Sequence, residues 1–302
     1  MIYLVLSGVL WGTGGLTGRL LSLHTRLSPT AVAGYRLLIG GTLLILFAAV
    51  TGRGRRDAGP AARSRRPRGR AAWRRVGVVG ALSAGFQACY FAAVALTDVS
   101  LATLVTIGAA PVLVAAFEQA TGRRGFDPRA AATVALALAG LGLLVGEPPH
   151  GVTGAHLAAG AGFAVASAAG FSAISVLGKN PVAGLGEVTM TGYSFTLGGL
   201  ALVAAAALTT GAGFAPRPAA VGLLLLLGLV PTAIAYGCYF IGLREAAAST
   251  GTVTALLEPL TGTVLAVLLL GDRLTAVGAV GAALLAVSVT AETWHARPRV
   301  AG

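Results

Sequence analysis

Ten blocks of about twenty apolar residues, separated by short breaks, constrain this chain more than any other feature. They run over roughly 2–22, 30–51, 76–96, 99–120, 129–147, 153–177, 186–209, 218–241, 246–270 and 274–292. At about 1.5 Å of rise per residue, about 20 helical residues cross the roughly 30 Å hydrocarbon core of a bilayer. Strands of a membrane barrel would instead alternate apolar and polar residues over about ten positions, and that alternation is missing. Only 11% of the 302 residues are charged and 56% are hydrophobic, too few charges to cover a soluble surface of this size. The expected fold is therefore an all-α polytopic membrane protein with ten transmembrane helices. The N-terminal block lacks a basic leader and a small-residue cleavage site, so it reads as the first span.

The net charge of +12 does not indicate nucleic acid. Ten arginines fall between Arg53 and Arg75, interleaved with a single aromatic, Trp73. A solvated loop, 52–75, beside an anionic membrane face accounts for them. With the N-terminus inside, the inner loops hold seventeen basic residues and the outer loops four. That excess places both termini in the cytoplasm. The connections are short, which predicts antiparallel hairpins of neighbouring helices.

The chain also repeats itself. "GFQACYFAAVALTDVSLATLVTIGAAPVLVAAF" begins at Gly85, and "AYGCYFIGLREAAASTGTVTALLEPLTGTVLAV" begins at Ala235. Each carries Cys-Tyr-Phe, a polar break, a threonine (Thr103, Thr252) and a proline (Pro111, Pro259) in the same order. Spans 3–5 thus match spans 8–10. Five is odd, so the second copy must enter the membrane from the opposite face, giving two inverted five-helix repeats. The expected division is 1–147, 153–292 and a cytoplasmic tail, 293–302.

On these residues the chain resembles a known group. "GVLWGTGG" in span 1, "AGYRLLIGG" in span 2, "LLEPLTGTVLAVLLLGDRLT" across spans 9 and 10, and the paired five-helix units are similar to EamA-type permeases of the drug/metabolite transporter superfamily. The resemblance implies a central cavity between the repeats and export or exchange of small metabolites or drugs. The arginine excess over a single lysine, Lys179, and the abundance of Ala and Gly suggest a GC-rich bacterial genome. A bacterial inner membrane is then the expected location.

Candidate cavity residues follow from what lipid tolerates. Glu258 sits about a dozen residues from either end of span 9, where a charge costs about 2.5–3.5 kcal/mol on insertion scales. Such a residue is expected to face a wet cavity, pair with a cation, or carry a coupling proton. Pro259 removes a backbone donor beside it, and Pro111 and Pro231 are the corresponding kink or hinge candidates in spans 4 and 8. Arg36 is the one arginine well inside a span and could bind an anionic group or pair with Glu258. Trp11, Gln87, Tyr90, Tyr236 and Tyr239 complete the set. Gln87 and Tyr90 share the three-residue spacing of Tyr236 and Tyr239, which puts each pair on one helix face.

Other polar residues carry weaker expectations. Glu118 is expected to pair with Arg123 and Arg124 at the inner interface. Glu147, His150 and His156 lack metal-ligand spacing and are expected at solvated ends. Cys89 and Cys238 read as small apolar fillers. Gly8, Gly12 and Gly15, with Gly14 and Gly18, read as close-packing faces. No cofactor motif is present, and "GTGG" lacks the lysine of a phosphate loop. A secondary transporter of a small-molecule substrate is the expected function, with proton coupling through Glu258 open. A membrane-embedded enzyme acting on lipid or peptide would need a catalytic cluster that the sequence does not show. A passive channel would need rings of charge that are also missing.

Overall fold

The computed structural model describes residues 1–51, 67–97, 99–123, 125, 127–145, 154–179, 182, 185–271 and 273–295. Most of the arginine loop, Asp98, Arg124, Glu147, His150 and the tail from 296 lie outside the described residues. Among the described residues ten helices are long and apolar enough to cross a membrane. The fold is all-α.

The spans are Ile2–His24, Pro29–Thr51, Gly69–Leu96, Val99–Ala120, Pro128–Val145, Gly154–Gly178, Glu187–Thr209, Pro218–Gly242, Ala248–Leu269 and Ala276–His295. They are numbered 1–10 in that order. Large apolar side chains such as Phe47, Leu200, Leu225 and Leu268 are exposed on the outer surface of the bundle, as a lipid-facing belt requires. Span 3 starts at Gly69, earlier than the apolar pattern indicated. Arg70, Arg74 and Arg75 are therefore helical and do not belong to a loop. The long arginine stems extend the helix beyond its apolar part while their charged heads can stay in a polar layer. The Arg75 guanidinium, for example, donates to the Leu177 carbonyl at 3.0 Å.

Packing departs from a row of hairpins. The most extensive contacts join one half of the chain to the other, and helices adjacent in sequence touch far less. Span 2 lies along span 7, and span 5 along span 10. Span 1 packs on spans 8 and 9, just as span 6 packs on spans 3 and 4. Span 2 on span 8 likewise corresponds to span 7 on span 3. Shifting span numbers by five thus returns the same set of principal partners. Short connections fix the direction of successive helices without fixing their partners.

Glycines set the two central seams. A Cβ added to Gly41 would meet the Thr196 amide nitrogen at 2.5 Å and the Gly192 carbonyl oxygen at 2.7 Å. One added to Gly140 would meet the Gly281 carbonyl at 2.9 Å. Backbones at this separation gain dispersion contacts along their length, the force available to helices in lipid. Gly41→Val is expected to cost at least about 1–3 kcal/mol, since the obstructing atoms are backbone and cannot rotate away. Gly77→Val, at a position with open space, is expected to be near neutral. The apparent Tm of the two variants in detergent checks this, and equal values would contradict the seam.

Candidate functional site

A cavity of about 580 Å³ lies between the halves. Its mouth includes Arg19, Leu27 and Pro29, at the face opposite the chain termini. Its floor includes Trp11 and Glu258, about halfway along their spans, with Phe171, Tyr236 and Ala255 nearer the termini side. The cavity is therefore a vestibule that opens on one face and ends past the middle, short of the termini side. Of the seven side chains picked out from sequence, Trp11, Arg36, Gln87, Tyr90, Tyr236 and Glu258 line it. Tyr239 does not.

Two helix interruptions position the charged groups. Span 8 changes from α-helix to a π-helical turn over Leu229–Ile234. Pro231 lacks an N–H, so the Leu227 carbonyl one turn earlier loses its helical donor. The hydroxyl of Thr232 supplies the missing bond, donating to the Leu227 carbonyl at 2.8 Å. With its proton committed there, the Thr232 oxygen accepts from Arg36 Nε at 3.2 Å. A Pro-Thr pair inside an apolar run thus aims an arginine from another helix into the cavity.

Span 9 breaks at Ala255 and Leu256, between helices Ala248–Thr254 and Leu257–Leu265. The Glu258 amide bonds the Ala255 carbonyl at 2.9 Å, three residues back. Pro259 falls in the first turn of the second piece, where its missing N–H costs nothing. Glu258 projects from this break. Pro111, by contrast, sits inside an uninterrupted helix. No ion pair joins Arg36 to Glu258, although both line the same space.

Span 1 supplies the close approach that holds this geometry. Gly12 faces the Glu258 carbonyl and the Gly262 amide, and Gly8 faces Leu257. Gly15 and Gly18 do not pack. A Cβ at either would meet nothing within 4 Å, and both line the cavity with Gly14. The regular glycine spacing therefore serves two ends: half of it seats span 9, and half leaves room for a solute.

The floor is aromatic. Trp11 meets Tyr236 at 4.9 Å and Phe171 at 5.9 Å between ring centroids, both edge-on, an arrangement favoured by ring quadrupoles. Its indole N–H is buried and has no hydrogen-bond partner among the described residues. Higher in the wall, the Tyr90 hydroxyl bonds Thr103 at 2.8 Å. Tyr239 lies behind the floor. It stacks on Phe171 at 5.8 Å and bonds Ser175 at 2.7 Å. Ser175 spends its own proton on the Phe171 carbonyl, so the Tyr239 hydroxyl donates. The matched spacing of Gln87 with Tyr90 and of Tyr236 with Tyr239 does not give matched roles, because span 3 runs toward the mouth and span 8 away from it, so Tyr239 lies about one turn deeper than Tyr236 on the same helix, Ala235–Gly242.

Glu118 departs from its expected pairing with Arg123, while Arg124 lies outside the described residues. Glu118 is 7% exposed and accepts from the Ala248 amide at 3.2 Å and the Ser249 hydroxyl at 2.8 Å. Arg123 instead lies over the Phe117 ring at 5.4 Å. Thr232 and Glu292 were not picked out from sequence. The Pro-Thr pair was a readable sign of the first. Glu292, near the end of the last span, has no comparable sign in the sequence.

Comparison with known proteins agrees with this geometry. Residues 1–146 and, separately, 158–291 match the EamA-like transporter family. The chain belongs to that family. In this EamA-like transporter the first match runs over spans 1–5 and the second over most of spans 6–10. The uncharacterized transporter YwfM of Bacillus subtilis (strain 168) is 28% identical over 294 residues, covering 94% of this chain and 90% of its own. A crystal structure of a protein 21% identical in sequence covers 98% of both chains with a TM-score of 0.77, so the fold is shared.

Proposed function

We propose that this EamA-like transporter is a secondary carrier of a small zwitterionic solute with an aromatic or otherwise apolar body. The single observation that carries this reading is the pair of opposite charges, Arg36 and Glu258, that line one cavity with no ion pair between them. A solute with a carboxylate and an ammonium can meet both, which replaces the hydration each side chain would otherwise need. The apolar body would lie on Trp11, Phe171 and Tyr236, and the unpartnered Trp11 N–H offers a further donor. A volume of about 580 Å³ suits a solute of this class.

The mechanism is alternating access between two inverted five-span halves, divided near 147–153, that rock about the midplane. The exchange of packing partners under a shift of five spans supports it. Pro231 and Pro259, at the interruptions of spans 8 and 9, act as hinges, and Pro111 is a weaker candidate. The arginine-rich loop orients both termini to the cytoplasm of a bacterial inner membrane. The described state then faces outward, as an exporter or exchanger does after release. Glu258 doubles as a proton site in the empty carrier.

Thermal shift of the purified protein against one aromatic ring body in three forms tests the ligand chemistry. Phenylalanine is expected to raise the apparent Tm. Its methyl ester and its N-acetyl derivative, each lacking one charge, are expected to bind at least about tenfold more weakly. Equal shifts from all three would remove the two-charge reading.

A further inference from the structure

Two buried carboxylates lie outside the cavity, on the side of the chain termini, and the binding site does not use them. Glu118, near the end of span 4, and Glu292, near the end of span 10, are each 7% exposed. Both reach the start of span 9. Glu118 accepts from the Ala248 amide and the Ser249 hydroxyl, and Glu292 accepts from the Thr250 hydroxyl at 2.7 Å. Three consecutive residues are thus held by acids from two other helices. The piece they hold, Ala248–Thr254, is buried at every position. It ends at the break that carries Ala255 in the cavity floor. This short helix is therefore part of the material between the cavity and the termini side.

We propose that Glu118 and Glu292 form a latch that keeps Ala248–Thr254 seated as the gate on the termini side. The proposal rests on the alternating-access reading: for the cavity to open on the termini side, this piece must swing about Ala255 and Leu256, breaking the three bonds. The latch belongs to one face only. Aligning Pro111 with Pro259 sets Glu118 against Ala266, which cannot accept a hydrogen bond through its side chain. Span 5, the counterpart of span 10, has no acid between Pro128 and Val145. Each half contributes one acid, and both act on the termini side without a counterpart on the other face, so the two gates differ in strength and the closed state on the termini side is favoured. Charge-assisted bonds from buried carboxylates are the strong kind, and burial without these partners would be costly.

The test reads conformation and needs no substrate. In full-length protein carrying Cys89→Ser and Cys238→Ser, one reporter is Thr252→Cys, at a position 0% exposed in the gate piece. The other is Gly18→Cys, in open space on the cavity wall. Glu118→Gln and Glu292→Gln are each expected to speed maleimide labelling at 252 about tenfold, one decade for each weakened charge-assisted set. Labelling at 18 is expected to slow in the same variants, because the population moves from one open face to the other. Thr250→Val removes the donor to Glu292 without touching a carboxylate, and is expected to reproduce the Glu292→Gln result even if that variant folds poorly. An unchanged rate at 252 would overturn the latch. Faster labelling at both positions would also overturn it, since that marks a loosened fold. Failure of zwitterion binding would leave these rates as they are, so the two readings fail separately.

Discussion

Glu258→Gln is expected to bring solute transport down by about two orders of magnitude while leaving the protein folded. The carboxylate would contribute a charge-assisted contact to the solute ammonium, worth about 1.5–3 kcal/mol or roughly 10–100-fold, and the proton site would be lost with it. Stability should not fall. Glutamine is cheaper than an acid at mid-membrane depth, and the one interaction of the Glu258 carboxylate that the substitution would remove is a longer-range attraction to Arg36. The local fold depends instead on Gly8 and Gly12 seating the span 9 break. Flux and apparent Tm measured on the same preparation separate the two effects. Wild-type flux in the Gln variant would take Glu258 out of the mechanism.

Arg36→Ala is expected to weaken binding of a carboxylate-bearing solute by about 10–100-fold, the range for a lost charge-assisted contact in a desolvated site. Arg36→Lys is expected to recover only part of it. The guanidinium gives its Nε to Thr232 and is hydrogen-bonded to Tyr236, which fixes a planar fork that can meet an anion, whereas a lysine ammonium is a point donor on a flexible stem. Thr232→Val tests the support indirectly. It strands the Leu227 carbonyl and frees Arg36 to turn, so affinity should fall by less than in Arg36→Ala. The effect should largely vanish when Arg36 is already alanine. Affinity from thermal shift or from equilibrium binding reads all three. Full affinity in Arg36→Ala would contradict the assignment of the carboxylate end.

Much of the architecture was legible because lipid removes ambiguity. A helix must be long, apolar and internally bonded to cross a bilayer, so the ten spans, the family resemblance and the midplane position of Glu258 could be read from residue order. The partners of each helix could not. Apolar spans present similar surfaces on every side, and only glycines such as Gly41 and Gly140 mark a seam. Their meaning depends on what lies opposite. Side-chain depth was not legible from spacing. Tyr236 and Tyr239 lie on one α-helix, Ala235–Gly242, which runs away from the mouth, so the first reaches the cavity floor and the second, about one turn further on, lies behind it. The start of span 3 was misplaced because arginine stems make a helix look like a loop in a hydropathy pattern. Glu118 was read from its arginine neighbours in sequence, while its partners came from a span about 130 residues away. Six of seven cavity residues converge because acids, arginines and wet aromatics have few other places to go inside a membrane.

The account as a whole depends on a carrier that exposes one solute site to alternate faces. Counterflow in proteoliposomes tests this most directly: vesicles loaded with unlabelled phenylalanine are diluted into labelled phenylalanine, and the entry of label is followed. A carrier predicts transient accumulation of label above its outside concentration, faster with unlabelled solute inside than without, and absent in Glu258→Gln. Entry that only approaches equilibrium, at a rate indifferent to the internal solute, would describe a pore and contradict the account.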